Sequence, residues 1–198
     1  EFKSSIGNTD FDVIALFDNH VVIIEIKHLV TPYDPKRYYE DRQEIKKAIK
    51  QLKLRKQVLL RDWALIRDIT NGFLPPEPYP EERIIQLVCT NIDSFTSLEI
   101  DGIRIVDESV LIRFFSDNGQ YVKIWSGSKI YKKEKIWENS QPTIDDFKRY
   151  IASPTAVKWY REVVKRKNIT IPRYGEGEYL GTVNYILDED IVKFDRQI

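Results

Sequence analysis

The sequence predicts an α/β domain: a mixed central β-sheet flanked by helices, with a helical and irregular C-terminal extension. Three stretches predict it. Residues 11–28, FDVIALFDNHVVIIEIKH, read as two strands joined by the tight polar turn Asp18-Asn19. Residues 36–69 follow with the spacing of one long amphipathic helix. Residues 84–90, IIQLVCT, form a further apolar strand. An antiparallel hairpin followed by a crossover helix and another strand makes a mixed sheet.

Each element has a local reason. Residues 1–8 are ambiguous, with Gly7-Asn8 as a turn signal. FDVIALF (11–17) is rich in β-branched and aromatic types. VVIIEI (21–26) is apolar almost throughout, as in a strand buried on both faces. Alternation puts Glu25 and Lys27 on one face and Ile24 and Ile26 on the other. It also gives Asp10 and Asp12 a common face of the first strand. Pro32 and Pro35 break the loop at 31–35. Then Ile45, Ala48, Ile49, Leu52, Leu59, Trp63 and Ile66 form one helical stripe, with lysines and arginines on the other faces. No proline interrupts this helix, although its length leaves room for a bend. GFLPPEPYP (72–80) ends it.

Residues 93–101 read as a loop, 103–106 as a short strand, and VLIRFF as a short helix capped by Asp107 or Ser109. Residues 121–125 read as a strand and 126–142 as irregular. Thr143-Ile144-Asp145-Asp146 resembles a capping box ahead of the helix FKRYIA. After Pro154, residues 155–167 read as a second helix with Val157, Tyr160, Val163 and Val164 on one side. TVNYIL (182–187) reads as a strand. The core would span 1–118 and the extension 119–198. There is no internal repeat and no low-complexity tract.

The 198 residues suffice for one sizeable domain with an appendage. Hydrophobic residues at 42% and charged residues at 31% are ordinary for a soluble globular protein. No apolar run approaches the roughly 20 residues that span a bilayer, and the polar N-terminus lacks the apolar core of a signal peptide. The single cysteine, Cys89, cannot form an internal disulfide, which fits a reducing cytoplasmic compartment. Its setting in RIIQLVC makes it a buried thiol rather than a nucleophile. The chain begins at Glu1 and contains no methionine, so it reads as a piece of a longer translation product.

Zero net charge excludes a global basic signature for nucleic acid. The distribution is uneven, however. Between Lys36 and Arg67 eleven Lys and Arg stand against four Asp and Glu, an excess of seven positive charges. A second basic stretch, 158–173, sets Lys158, Arg161, Lys165, Arg166, Lys167 and Arg173 against Glu162. Neither a G-x-x-x-x-G-K-[ST] phosphate loop nor a G-x-S-x-G elbow is present. His20 and His28 do not supply the three or four ligands of a zinc site.

The chemistry concentrates on the hairpin. Charges on an apolar strand are costly unless paired or metal-bound, and VVIIEIK carries Glu25 and Lys27. Adjacent strands bring Asp12 beside Glu25. Two carboxylates, with the Ile26 carbonyl between the charged residues, make an oxygen donor set for Mg²⁺. A metal so held polarises a phosphate and lowers the pKa of a bound water. A lysine beside it orients that water or stabilises developing charge. E-x-K alone also describes an ordinary edge ion pair. The aspartate on the preceding strand and the basic helix that follows favour the chemical reading. On that helix Lys46, Lys47, Lys50, Lys53 and Arg55 are the candidates for phosphate contact. Tyr38, Tyr39, Trp125, Tyr131 and Trp137 either stack on bases or pack in the structure.

Gly7-Asn8-Thr9-Asp10-Phe11-Asp12, the strand, the turn and then Glu25-Ile26-Lys27 follow the pattern G-x-x-(E/D)-x-D … hydrophobic-E-x-K. This resembles the PD-(D/E)xK nuclease superfamily, including its NERD-type and restriction-endonuclease-like members. The resemblance covers about residues 7–92. It implies a restriction-endonuclease-like fold, Mg²⁺ or Mn²⁺ as cofactor, and hydrolysis of phosphodiester bonds in DNA. Asp12 and Glu25 would be the metal carboxylates and Lys27 the catalytic lysine. The family's glutamine on the crossover helix matches Gln51 best and Gln43 second. The family's first helix often supplies a glutamate; here that region is EFKSS, with Glu1 its only carboxylate. Family members often form homodimers or sit beside other domains. Two rivals use the same residues: a catalytically inactive nucleic-acid-binding module on this fold, and a protein-interaction domain in which Glu25 and Lys27 are merely paired.

Overall fold

The structure is a computed structural model. It describes residues 2–4, 7–116, 119–123, 130–158, 164–172 and 179–187, and describes side chains over 10–116 and 135–158. In chain order the elements are β1 (Phe2–Ser4), β2 (Gly7–Thr9), β3 (Val13–Phe17), β4 (His20–Lys27), α1 (Pro35–Arg61), α2 (Trp63–Ile69), β5 (Ile84–Thr90), β6 (Glu99–Ile100), β7 (Ile103–Asp107) and α3 (Glu108–Ser116). They continue with β8 (Gly119–Lys123), β9 (Ile130–Lys135), α4 (Ile144–Ala152), β10 (Val164–Pro172) and β11 (Tyr179–Leu187). The chain divides into two compact units. One is Glu1–Gln120 with Lys135–Ala152; the other is Tyr121–Glu134 with Ser153–Ile198.

The first unit holds a mixed five-stranded sheet, ordered β3-β4-β5-β7-β6. β4, β5 and β7 run parallel, and β3 and β6 are antiparallel edges. At the β3–β4 turn Asp18 and Asn19 both have positive φ, 45° and 56°. That is the two-residue turn whose twist matches its strands. It fixes the register, Phe17 opposite His20 and Val13 opposite Ile24.

Helices cover both faces. Val21, Ile23, Val88, Ile103 and Ile105 pack under α1 and α2 with Ile45, Leu52, Leu59 and Trp63. Val22, Leu87, Cys89 and Val106 point the other way, into a cluster with Phe114, Trp137, Phe147 and Tyr150. Phe114 is fully buried there, its ring 5.0 Å from Phe147 and 5.1 Å from Trp137. This second cluster is why residues 135–152 belong with the first unit.

α1 opens with Pro35 at its first position and Asp34 as cap, whose Oδ1 accepts the Arg37 N–H at 2.6 Å. The expected capping box of α4 is reciprocal. Asp146 Oδ2 accepts from the Thr143 main chain at 3.1 Å and hydroxyl at 2.8 Å, and the Asp146 N–H donates to Thr143 Oγ1 at 3.2 Å. Asp107 caps α3, accepting the Ser109 N–H at 2.9 Å.

Several expectations are corrected. The helix over 36–69 is two helices that meet at Asp62, a poor helix former held by the Arg61 guanidinium at 2.7 Å. Gly7-Asn8 lies in β2, paired with β1, rather than in a turn. The loop over 93–101 ends in β6, which turns into β7 through Asp101 and Gly102, both at positive φ. The stretch 126–142, expected to be irregular, contains β9, paired with β8. Residues 155–167 do not form one helix. Among the described residues of this stretch, 155–158 are helical and Val164–Lys167 begin β10, which pairs with β11 over nine residues. The β-branched run that continues through Asn168-Ile169-Thr170-Ile171 favours the strand. Tyr160 and Val163 lie outside the described residues.

Phe114→Ala is expected to destabilise the first unit by about 3–5 kcal/mol, read as a lower urea midpoint with unchanged slope. Asp146 gives a pH test. Burial raises its carboxyl, but the hydrogen bonds from Thr143 and from Arg149 outweigh this and hold it below its ordinary value of 3.8. A depressed folded value means stability that is present above about pH 3.8 and lost as pH falls through the lowered value. Asp146→Asn should therefore be less stable than the parent at pH 6, and melts at successively lower pH should show the gap closing.

Candidate active site

The alternation that sends Val21 and Ile23 towards α1 sends Glu25 and Lys27 there too. Glu25 is 2% exposed, so its charge must be met inside the protein. Two cations meet it. Lys27 Nζ lies 2.6 Å from Glu25 Oε1, and the Arg55 guanidinium pairs with Oε2. Lys27 also donates to Gln51 Oε1 at 3.1 Å. Gln51 and Arg55, four residues apart, occupy one flank of α1.

The opposite wall comes from the chain before β3. Asp10 and Asp12 were expected to share a face of the first strand, but β3 starts only at Val13. One step beyond the last ladder pair, the register would set Asp12 opposite Glu25, in a position without ladder bonds where side chains lie closest. There the Asp12 Oδ2 accepts the Ile26 N–H at 2.7 Å, an amide that a longer β3 would have paired. The Ile26 carbonyl points to the same strand edge as its N–H. Arg55 Nη2 reaches Asp10 Oδ1 at 3.2 Å and Asp12 Oδ1 at 3.7 Å.

Asp12, Glu25, Lys27 and Gln51 therefore converge, although they come from the segment before β3, from β4 and from α1. The basic residues divide. Arg55, expected on the solvated face with the lysines, is 3% exposed and lies among three carboxylates. Helical periodicity carried the signal. Asp41, Ile45, Ala48, Leu52, Arg55 and Leu59 alternate by four and three residues and are all buried, so Arg55 belongs to the apolar seam. Lys46, Lys50 and Lys53 are exposed but stand roughly 100–160° around α1 from Gln51, at 3.6 residues per turn. Lys53 is paired with Asp101 at 2.7 Å. Lys47 shares the flank of Gln51 and donates to Glu44 at 2.5 Å. That hydrogen bond holds the Glu44 carboxyl below its ordinary value against the opposing effect of burial, and the charges of Lys47 and Lys27 add to it.

The remaining candidates fall outside the site. Gln43 makes no described contact with Lys27. His20 is a turn residue bonded to the Asp18 carbonyl at 2.7 Å, and His28 is exposed. Tyr38 stacks on Phe95 at 5.1 Å, Tyr39 is exposed, and Trp137 is core. Trp125, and the side chains of Tyr131 and Glu1, lie outside the described residues.

Asp10, Asp12, Glu25 and the Ile26 carbonyl have the hard-oxygen chemistry that Mg²⁺ takes, with one or two carboxylates and waters sufficing. The guanidinium of Arg55 marks the place between the carboxylates as one that accepts a cation. Among the described residues no three carboxylate, imidazole or thiolate groups stand together as a preformed metal cage. The donor types fit, and Arg55 stands between them.

Cys89, opposite Ile26 in the β4–β5 register, is buried. Burial first, and then the negative charges of Asp107 and Glu108, push its thiol up to about 11. A disulfide reagent at pH 8 should label it promptly in urea and very slowly in the folded chain.

The chain matches no protein-family model, no curated protein and no solved structure.

Proposed function

We propose that this chain is a metal-dependent nuclease of restriction-endonuclease-like fold that hydrolyses phosphodiester bonds, with DNA as substrate. One observation supports the reading above the others. Lys27 lies within 2.6 Å of Glu25 and 3.1 Å of Gln51, while Asp12 is tied to the main chain between Glu25 and Lys27. An edge ion pair needs neither the aspartate nor the glutamine.

In this reading Asp12, Glu25 and the Ile26 carbonyl would hold Mg²⁺ or Mn²⁺. Bound there, the ion would supply Lewis-acid polarisation of the phosphate and a more acidic water. The chain's own residues do the rest. Glu25 pairs with the Lys27 ammonium at 2.6 Å, and Gln51 fixes its direction. Among the described residues two acceptors engage two of the three protons of Lys27, which leaves one N–H for the attacking water or a phosphate oxygen. Lys47, on the Gln51 flank, is the lysine best set to touch the neighbouring phosphate; Lys46 and Lys50 face elsewhere.

A second reading has an observation of its own. Arg55 among the carboxylates is what an inactive nucleic-acid-binding module would carry in place of a metal. Incubating the chain with linear and single-stranded DNA, and with RNA, separates the two. Cleavage that needs Mg²⁺ or Mn²⁺, stops with chelator and falls roughly a hundredfold or more in Lys27→Ala supports the nuclease. DNA binding without cleavage under every condition, or cleavage indifferent to Lys27→Ala, favours the module.

A further inference from the structure

We infer that Arg55 is the resident counter-cation of the carboxylate cluster, and that a divalent ion enters only as the Arg55 guanidinium withdraws towards Asp10. The inference rests on the metal site proposed above and adds a gate to it.

The cluster carries three negative charges, on Asp10, Asp12 and Glu25, against the positive charges of Lys27 and Arg55. Arg55 touches all three carboxylates, while Lys27 is held at the far oxygen of Glu25 by Gln51. A divalent ion bound by Asp12 and Glu25 would share a buried space with the guanidinium. Like charges in contact at low dielectric repel strongly, so the two cations compete for one place. An arginine cannot give up its proton to relieve this; only movement can.

The path for that movement is on the surface side. The Asp10 side chain is 74% exposed and already accepts from Arg55 Nη2 at 3.2 Å, whereas Glu25 is enclosed. Letting go of Glu25 and Asp12 while keeping Asp10 carries the guanidinium outwards and leaves it paired. Asp10 is then a positioning residue: it holds the displaced arginine. Metal affinity is lowered by the fraction of molecules in which Arg55 remains inside, and the metal-free chain keeps its buried carboxylate neutralised.

Mn²⁺ binding by calorimetry or electron paramagnetic resonance tests this on the whole chain. Arg55→Met should bind Mn²⁺ at least tenfold more tightly than the parent. It should melt lower without the ion and recover more on adding it. Arg55 can also be followed in the unaltered chain, which keeps the test open if the variant does not fold. Its Nε–H resonance should shift and exchange faster with water as Mg²⁺ is titrated. A folded Arg55→Met with unchanged or weaker Mn²⁺ affinity overturns the gate and leaves the metal site standing. So does an Arg55 resonance that stays fixed through saturating Mg²⁺. If neither protein binds Mn²⁺, or if Asp12→Asn binds as well as the parent, the proposed metal site itself falls and the gate with it.

Discussion

The buried pair between Glu25 and Arg55 fixes the relation of α1 to the sheet. A carboxylate that is almost wholly enclosed must be met by a cation, and breaking such a pair typically costs about 3–5 kcal/mol. Arg55 is the cation that the apolar seam of α1 brings to it. One turn earlier, Gln51 meets Lys27. Sliding the helix by one turn would strand both charges, so this polar match specifies a register that leucine and isoleucine alone would define loosely. The candidate chemistry is built on the same contacts, and any change to Arg55 acts on stability and on the site together.

The β3–β4 hairpin links the two ends of the first unit. At its turn Asp18 serves twice, adopting the positive φ that the turn needs and accepting the Ile144 N–H at the start of α4 at 2.8 Å. At its open end the ladder stops at Val13, and the Asp12 side chain takes over the amide of Ile26. The tight turn sets the register, and the register sets which carboxylates meet.

Electrostatics is unevenly placed around α1. Many of the basic side chains that stand out in the sequence are paired: Lys36 with Glu40, Arg37 with Asp41 and Lys47 with Glu44 inside α1, and Lys53 with Asp101 and Lys56 with Glu81 beyond it. The flank beside the carboxylates carries Glu44 as well as Lys47. A nucleic-acid backbone at Lys27 would therefore meet a mixed surface, with the exposed lysine stripe of Lys46 and Lys50 facing another direction.

Local rules wrote much of this molecule into the sequence. The hairpin and its Asp18-Asn19 turn, the apolar stripe of α1, the buried strand at Ile84–Thr90, the capping box at Thr143 and the placing of Asp12 beside Glu25 and Lys27 follow from period two, period 3.6 and turn chemistry, whereas Gln51 is singled out by the family resemblance alone. Long-range pairing decided the rest. β9 has no alternation of its own strong enough to declare it, and β10 carries a helix-compatible run until nine residues of β11 pair with it. Arg55 was legible as a seam position, yet its charge suggested the surface. Only the packing of α1 over the end of β4 brought three carboxylates around its guanidinium, because a buried charge is drawn to its counter-charge more strongly than to solvent it cannot reach.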